Sequence, residues 1–374
     1  MRRALAAACC ALALGAPLAA AQEADAPAPA PTHEFAPAPP PPSRVRPAPD
    51  TDEGGLWGLS ERAEQEARAA GTLERDAALN AYLREVTCSV AAQYCGDVRL
   101  YVMNRPFFNA SMAPNGYMEV WSGLLLRAED EAQLAFVLGH EVAHYGERHS
   151  LSALRAQRAR ATGAMVATVA IAVVGAAAAV NSPSSAGSIA DATRVATDAI
   201  YLGTIASLFA FSRENESEVD LLGFDHAAAA GYDPAAGGRL WTNLISETRA
   251  SDDADVRRRE ARASIFASHP LSRDRLEALE ERASAHAGGG ETHRARYRAA
   301  IRPFLDPWLR AELRRRDFGQ TLLLLDRLGA HGEDLGVVEY YRGEVLRLRR
   351  GEGDRAAARQ HYENAITQAN APAA

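Results

Sequence analysis

The sequence predicts a mainly α protein with a small β-sheet, followed by a C-terminal α-helical, TPR-like segment. Three observations predict it. Apolar residues recur at helical spacing from Leu56 to Tyr94 and again from about Arg296 to Ala369. Two short runs, Val98 to Met103 and Tyr117 to Trp121, read as strands. Beyond them, His140-Glu141-Val142-Ala143-His144 forms an H-E-x-x-H pattern in an apolar run that begins at Leu134.

In chain order, Met1-Arg2-Arg3 is basic, Ala4 to Leu18 is apolar, and Ala19-Ala20-Ala21 fits an A-x-A cleavage site. Residues 1–21 therefore read as a secretory signal peptide. The run is short for a membrane span. Cys9 invites a lipoprotein reading, but too few apolar residues precede it. Residues 22–55 are Pro/Ala-rich, with Pro39 to Pro42 in a row, and read as a disordered linker.

Removal of residues 1–21 leaves two cysteines, Cys88 and Cys95. In an oxidising compartment such a pair suggests a disulfide; two reduced thiols are the alternative. Seven residues of unbroken helix would hold them roughly 10 Å apart, too far for a bridge. A disulfide thus requires a break near Gln93-Tyr94, and Gly96 is compatible with one.

The net charge is −7, and arginine supplies all the positive charge, because the chain contains no lysine. An acidic balance argues against nucleic-acid binding, which needs concentrated positive charge. Arg257-Arg258-Arg259 and Arg314-Arg315-Arg316 are flanked by acidic residues and read as solvated helix faces.

Asn104 to Gly116 reads as loop, with Pro106, Pro114 and an Asn115-Gly116 turn signal. The H-E-x-x-H helix should begin near Glu129-Asp130, since acidic residues suit a first turn. Residues four apart on a helix lie about 40° apart around the axis and roughly 6 Å apart along it. His140 and His144 can therefore aim two imidazoles at one metal ion. Glu141 lies about 100° round, at the edge of the same face, where a general base can reach an attacking water. The bland alternative is a polar helix face that matches the pattern by chance.

Ala161 to Val180 carries no charge, and a second weakly polar stretch runs from Ala196 to Phe211, with a turn over Asn181 to Gly187. Three readings fit: a hairpin packed on the domain or dipping into a membrane surface, a true membrane span, or a disordered Ala/Ser loop. Ser212 reads as an N-cap for a helix over Arg213 to Ala230 that ends at Gly231. This helix carries Glu216 and Asp220 four apart, which suits a third metal ligand and a carboxylate that orients a ligand histidine. Glu214 and Glu218 compete for those roles, and an exposed acidic first turn is the bland reading. Beyond Gly288-Gly289-Gly290, residues 353–366 have small and aromatic residues at helix-pair spacing, similar to a TPR helix.

Four stretches together resemble the HtpX/BepA/Oma-type family of zinc metallopeptidases, which includes the CAAX prenyl proteases. They are Phe108 to Met118, which resembles the family's F-N-A segment and edge strand; Gly123 to His144, its active-site helix; Ser212 to Asp220, with Val219 where alanine is usual; and Ser268-His269-Pro270-Leu271-Ser272-Arg273-Asp274-Arg275, similar to a segment of the periplasmic members. The resemblance covers roughly residues 56 to 285.

It implies a zincin-type metallopeptidase domain over 56–288, a TPR-like helical domain over 295–370, and one Zn2+ per chain. His140, His144 and Glu216 would be its ligands and Glu141 the general base, with Asp220 orienting a ligand histidine. His269 would be a fourth, regulatory ligand that keeps the enzyme latent. Arg275 would contact that loop or stabilise the oxyanion. Tyr117, Met118, Glu119 and Val120 would form the edge strand that binds substrate. His149 reads as a helix-end histidine outside the ligand set. The expected activity is a periplasmic or envelope-associated zinc endopeptidase acting on unfolded or misassembled envelope proteins. Contact with outer-membrane assembly machinery through the helical repeats and peripheral membrane contact through 161–211 are the partner expectations. A chaperone with a silent site and an integral membrane protease are the rival readings.

Overall fold

Thr51 caps the first helix by accepting a hydrogen bond from the Gly54 amide at 3.0 Å, so α1 (Asp52–Ala69) starts slightly before the expected Leu56. The computed structural model describes residues 45–160, 211–258 and 273–372. The signal-peptide segment, most of the Pro/Ala-rich stretch, the apolar run 161–180 and the Ser268-His269-Pro270 segment lie outside the described residues. Among the described residues no helix is long and apolar enough to cross a membrane.

The helical stretch expected over 56–94 is two helices. The short strand β1 (Leu73–Glu74) separates α1 from α2 (Ala77–Val90), which Asp76 caps. At Ala91 the backbone leaves the helix (φ −136, ψ 40) and a 3-10 turn, Ala92–Tyr94, follows. That break brings the Cα atoms of Cys88 and Cys95 to 4.9 Å, and a disulfide joins them.

Three more strands complete a four-stranded sheet of order β1-β2-β4-β3. These are β2 (Arg99–Met103), β3 (Ala110–Met112) and β4 (Tyr117–Trp121). The expected loop over 104–116 thus contains a strand. The Pro114-Asn115-Gly116 turn folds β3 back on β4, with Ser111 opposite Glu119. Gly116 has φ +87, and its amide bonds to the Ala113 carbonyl at 2.9 Å. As a consequence Tyr117, Met118, Glu119 and Val120 do not form an edge. β4 pairs with β2 in parallel on one side and with β3 antiparallel on the other. The edges of the sheet are β1 and β3.

After the short helix α3 (Ser122–Arg127) comes α4 (Glu131–Gly146), capped by Asp130 through the Gln133 amide at 2.9 Å. Every residue of α4 from Glu131 to Tyr145 is buried, as expected for a helix that is largely apolar around its circumference. It packs against α2 and β3, against α6 (Arg213–Ala229), and against α7 (Ala236–Arg249). Where α4 and α6 cross, glycine faces glycine. A Cβ on Gly223 would lie 2.9 Å from the His140 amide nitrogen, and one on Gly139 would lie 3.2 Å from the Gly223 carbonyl. The missing side chains set the close approach of the two helices.

The chain continues through α5 (His149–Arg160), which follows α4, and through α8 (Ala254–Arg258) and α9 (Arg273–Ala285) beyond α7. The C-terminal helices are α10 (Arg294–Ile301), α11 (Leu305–Leu313), α12 (Phe318–Gly329), α13 (Leu335–Arg349) and α14 (Asp354–Ala365). The last two form an antiparallel pair, joined by Tyr362 to Glu344 at 2.6 Å and His361 to Glu339 at 2.7 Å. Tyr297, Ile301, Trp308 and Leu324 belong to the same apolar core as Leu83, Val102 and Leu134. Buried charges tie the two regions together as well. Arg127 on α3 bonds Glu247 on α7 at 2.6 Å and Glu312 on α11 at 2.9 Å, and Arg327 on α12 completes the group on Glu247.

Candidate metal centre

One turn apart on α4, the imidazoles of His140 and His144 have centroids 4.9 Å apart. The glycine contact brings the start of α6 against them. Ser212 caps that helix through the Asn215 amide, and Glu216 projects from its first turn. Its carboxylate oxygens lie 3.7 Å from His140 Nε2 and 3.6 Å from His144 Nε2. One donor atom from each of the three residues lies within 4.8 Å of the others, and all three residues are buried. Two imidazoles and one carboxylate at such separations are the protein donor set of a catalytic zinc site. Both histidines turn Nε2 toward Glu216, and the carboxylate supplies the negative charge that a buried cation needs.

A second layer fixes these donors. Asp220, one turn beyond Glu216, lies 3.0 Å from His140 Nδ1. Arg275 on α9 grips Asp220 with two hydrogen bonds, Nε to Oδ2 at 2.6 Å and Nη2 to Oδ1 at 2.8 Å, and reaches Glu216 at 3.1 Å. Burial alone would push the Asp220 carboxyl up; the hydrogen bonds from His140 and Arg275 outweigh it and hold it below the usual carboxylate range. Trp241 lies beneath the guanidinium, 5.7 Å from ring centroid to Cζ. Around His144, the Phe211 ring stacks at 3.9 Å and His149 Nδ1 lies 3.0 Å from His144 Nδ1.

Glu141 is buried on the same helix and borders a small cleft with Phe108, Asn109, Ala110, Val137, His140 and Trp241. The cleft joins the lead-in of edge strand β3 to Glu141 and His140. The interior strand β4 serves the sheet instead. Glu119 is buried and accepts from Tyr117 and from Trp121 Nε1.

The structure thus brings His140, Glu141, His144, Glu216 and Asp220 together. Glu214 and Glu218, the competing acids, are exposed and lie outside the donor set. The guanidinium of Arg275 engages Asp220 and Glu216, and the Ser268-His269-Pro270 loop it was expected to contact lies outside the described residues. His269 lies outside the described residues. Sequence reasoning missed His149, Phe211 and Trp241. For His149 the available signal was Gly146, after which the helix ends. Arg148 then takes φ +55 and turns the chain, so that His149 returns to His144 instead of leaving on another helix face.

A chain provisionally named a beta-barrel assembly-enhancing protease in Vibrio cholerae is 30% identical over 212 residues, covering 56% of this chain and 40% of that protein. The beta-barrel assembly-enhancing protease of Escherichia coli K12 is 24% identical over 224 residues, covering 59% and 42%. The mitochondrial metalloendopeptidase OMA1 of Schizosaccharomyces pombe is 32% identical over 183 residues, covering 49% and 45%. The chain therefore spans less than half of the length of each of these relatives. The profile of peptidase family M48 matches residues 73–283, more than half of the chain and all of the candidate centre. With that match, the chain belongs to peptidase family M48, a metalloprotease family.

Proposed function

We propose that this protein is a zinc-dependent endopeptidase of the cell envelope that hydrolyses unfolded or misassembled envelope proteins. The observation that carries the reading is the buried His140, His144 and Glu216 donor set with Glu141 on the same helix. These three residues would hold one zinc ion, which when bound supplies a Lewis acid for the scissile carbonyl and lowers the pKa of the attacking water. Glu141 takes the water's proton and delivers it to the leaving amine. Asp220 and Arg275 keep His140 in the tautomer that presents Nε2 to the site. Strand β3 would hold the substrate through backbone hydrogen bonds, which bind extended chains with little sequence selection.

The envelope setting is supported by the leader-like N-terminal segment and by the names of the bacterial relatives. Outer-membrane assembly machinery is the proposed partner for the C-terminal helices, and the 161–211 stretch a proposed peripheral membrane contact. The test is digestion of an unfolded, reduced protein by the purified chain after chelation and after zinc is restored. Activity lost on chelation and regained with zinc supports the reading; undiminished activity in the chelated protein contradicts it.

A further inference from the structure

His149 stands outside the donor set, yet it is as buried as the ligands. Its ring centroid lies 5.1 Å from that of His144, with the planes at 75°. The two Nδ1 atoms are 3.0 Å apart. Two imidazole nitrogens at that distance share a single proton, because two lone pairs or two N–H groups would repel. His144 Nε2 faces Glu216, so Nε2 must carry a lone pair for His144 to be a ligand, and the proton sits on His144 Nδ1. His149 Nδ1 is then the acceptor and His149 Nε2 bears the other hydrogen. That nitrogen points at Glu218 Oε2, 3.4 Å away.

We propose that His149 is a positioning residue for metal binding, a neutral acceptor that fixes the tautomer and ring orientation of His144 and is itself fixed by Glu218. The inference rests on the zinc-peptidase reading and deepens it. The centre then has two unlike supports. His140 is backed by the Asp220 carboxylate, whose charge Arg275 balances. His144 is backed by an uncharged imidazole, with the carboxylate of Glu218 one step further out and half exposed. A hydrogen-bonded acceptor behind a ligand imidazole raises its basicity and restricts its rotation. A second carboxylate at His149's position would place another buried anion beside Glu216 and Asp220, with Arg275 already engaged by both. A neutral acceptor avoids that cost. The left-handed turn at Arg148 is what delivers it.

The test compares wild type, His149→Leu and His149→Asn in the full chain. The leucine variant fills the space without an acceptor; the asparagine variant can place an amide oxygen near the position of Nδ1. Zinc affinity is measured by competition with a chromophoric chelator, and the visible spectrum of the cobalt(II)-substituted protein reports ligand geometry. Thermal unfolding of the metal-free proteins reports the fold. The expected result is a loss of zinc affinity of roughly 10–100-fold in His149→Leu, with an altered cobalt spectrum, and recovery of most of both in His149→Asn. Equal affinity in wild type and His149→Leu overturns the proposal while leaving the metal reading intact. Equal losses in both variants, tracking a fall in metal-free stability, make His149 a packing residue only. A wild-type chain that binds no zinc overturns this proposal together with the reading on which it rests.

Discussion

Asp220 Oδ1 accepts from Nδ1 of His140 at 3.0 Å, while Arg275 holds the same carboxylate with two hydrogen bonds, one to each oxygen. The carboxylate is thus fixed before any metal arrives, and His140 cannot turn Nε2 away without breaking a buried hydrogen bond. Asp220→Ala should weaken zinc binding by about 10–100-fold. Arg275→Met should be more damaging to the fold, because it leaves Asp220 and Glu216 buried without their cation. Chelator competition and denaturant unfolding, run on both variants, check the two effects separately.

The glycine crossing makes a second prediction. Gly223→Ala would set a Cβ 2.9 Å from the His140 amide nitrogen and 3.1 Å from its Cα. Both atoms belong to a buried helix backbone, so α6 must shift, at a cost of about 1–3 kcal/mol. Glu216 and Asp220 ride on α6. The expected outcome is therefore loss of zinc affinity beyond what the stability change alone gives. A variant that is destabilised yet binds zinc like wild type would show that the crossing does not set the centre.

The C-terminal helices should depend on the Arg127 cluster. Glu312→Ala removes a buried partner of Arg127 and should destabilise the protein by about 3–5 kcal/mol in denaturant unfolding. The same cluster gives a pH dependence. Burial would raise the Glu247 carboxyl, but Arg127 and Arg327 outweigh it and hold it below its ordinary value of 4.5. A depressed carboxyl contributes stability that is fully present above the ordinary value and is lost as the pH falls through the lowered one. Wild type should therefore lose thermal stability more steeply than Glu247→Gln on acidification below about pH 4.5.

The Cys88–Cys95 bridge closes a short loop at the end of α2. Thiol labelling of denatured, unreduced protein should find neither cysteine. Reduction should lower stability by about 2–3 kcal/mol, the range for short loops. Two labelled cysteines in unreduced protein would contradict the bridge.

Much of the centre was legible in the sequence because its spacing is local. His140, Glu141 and His144 follow from helix geometry alone, Ser212 announced its helix as a cap, and Glu129-Asp130 marked the start of the other by their acidity, although Asp130 proves to be its cap. Choosing Glu216 over Glu214 and Glu218 needed the family resemblance and the burial of one helix face. What the sequence did not show is set by pairing or by distant contact. Residues 110–112 lie between two prolines and carry too little alternation to show as a strand, so β4 was mistaken for an edge. Arg275 lies 55 residues from Asp220, and no local pattern reveals which carboxylate an arginine will meet. His149 depended on one left-handed residue, Arg148, at a position where no glycine or asparagine signals it.

The most direct test of the account is the pairing of zinc content with turnover in Glu141→Gln. Glu141 is assigned a proton-transfer role and no share in metal binding. Purified Glu141→Gln should therefore hold about one zinc per chain, as wild type should, and should fail to cleave an unfolded substrate that wild type degrades. A Glu141→Gln chain that keeps full activity would contradict Glu141 as the base, and one that loses its zinc would contradict a ligand set made of His140, His144 and Glu216 without Glu141.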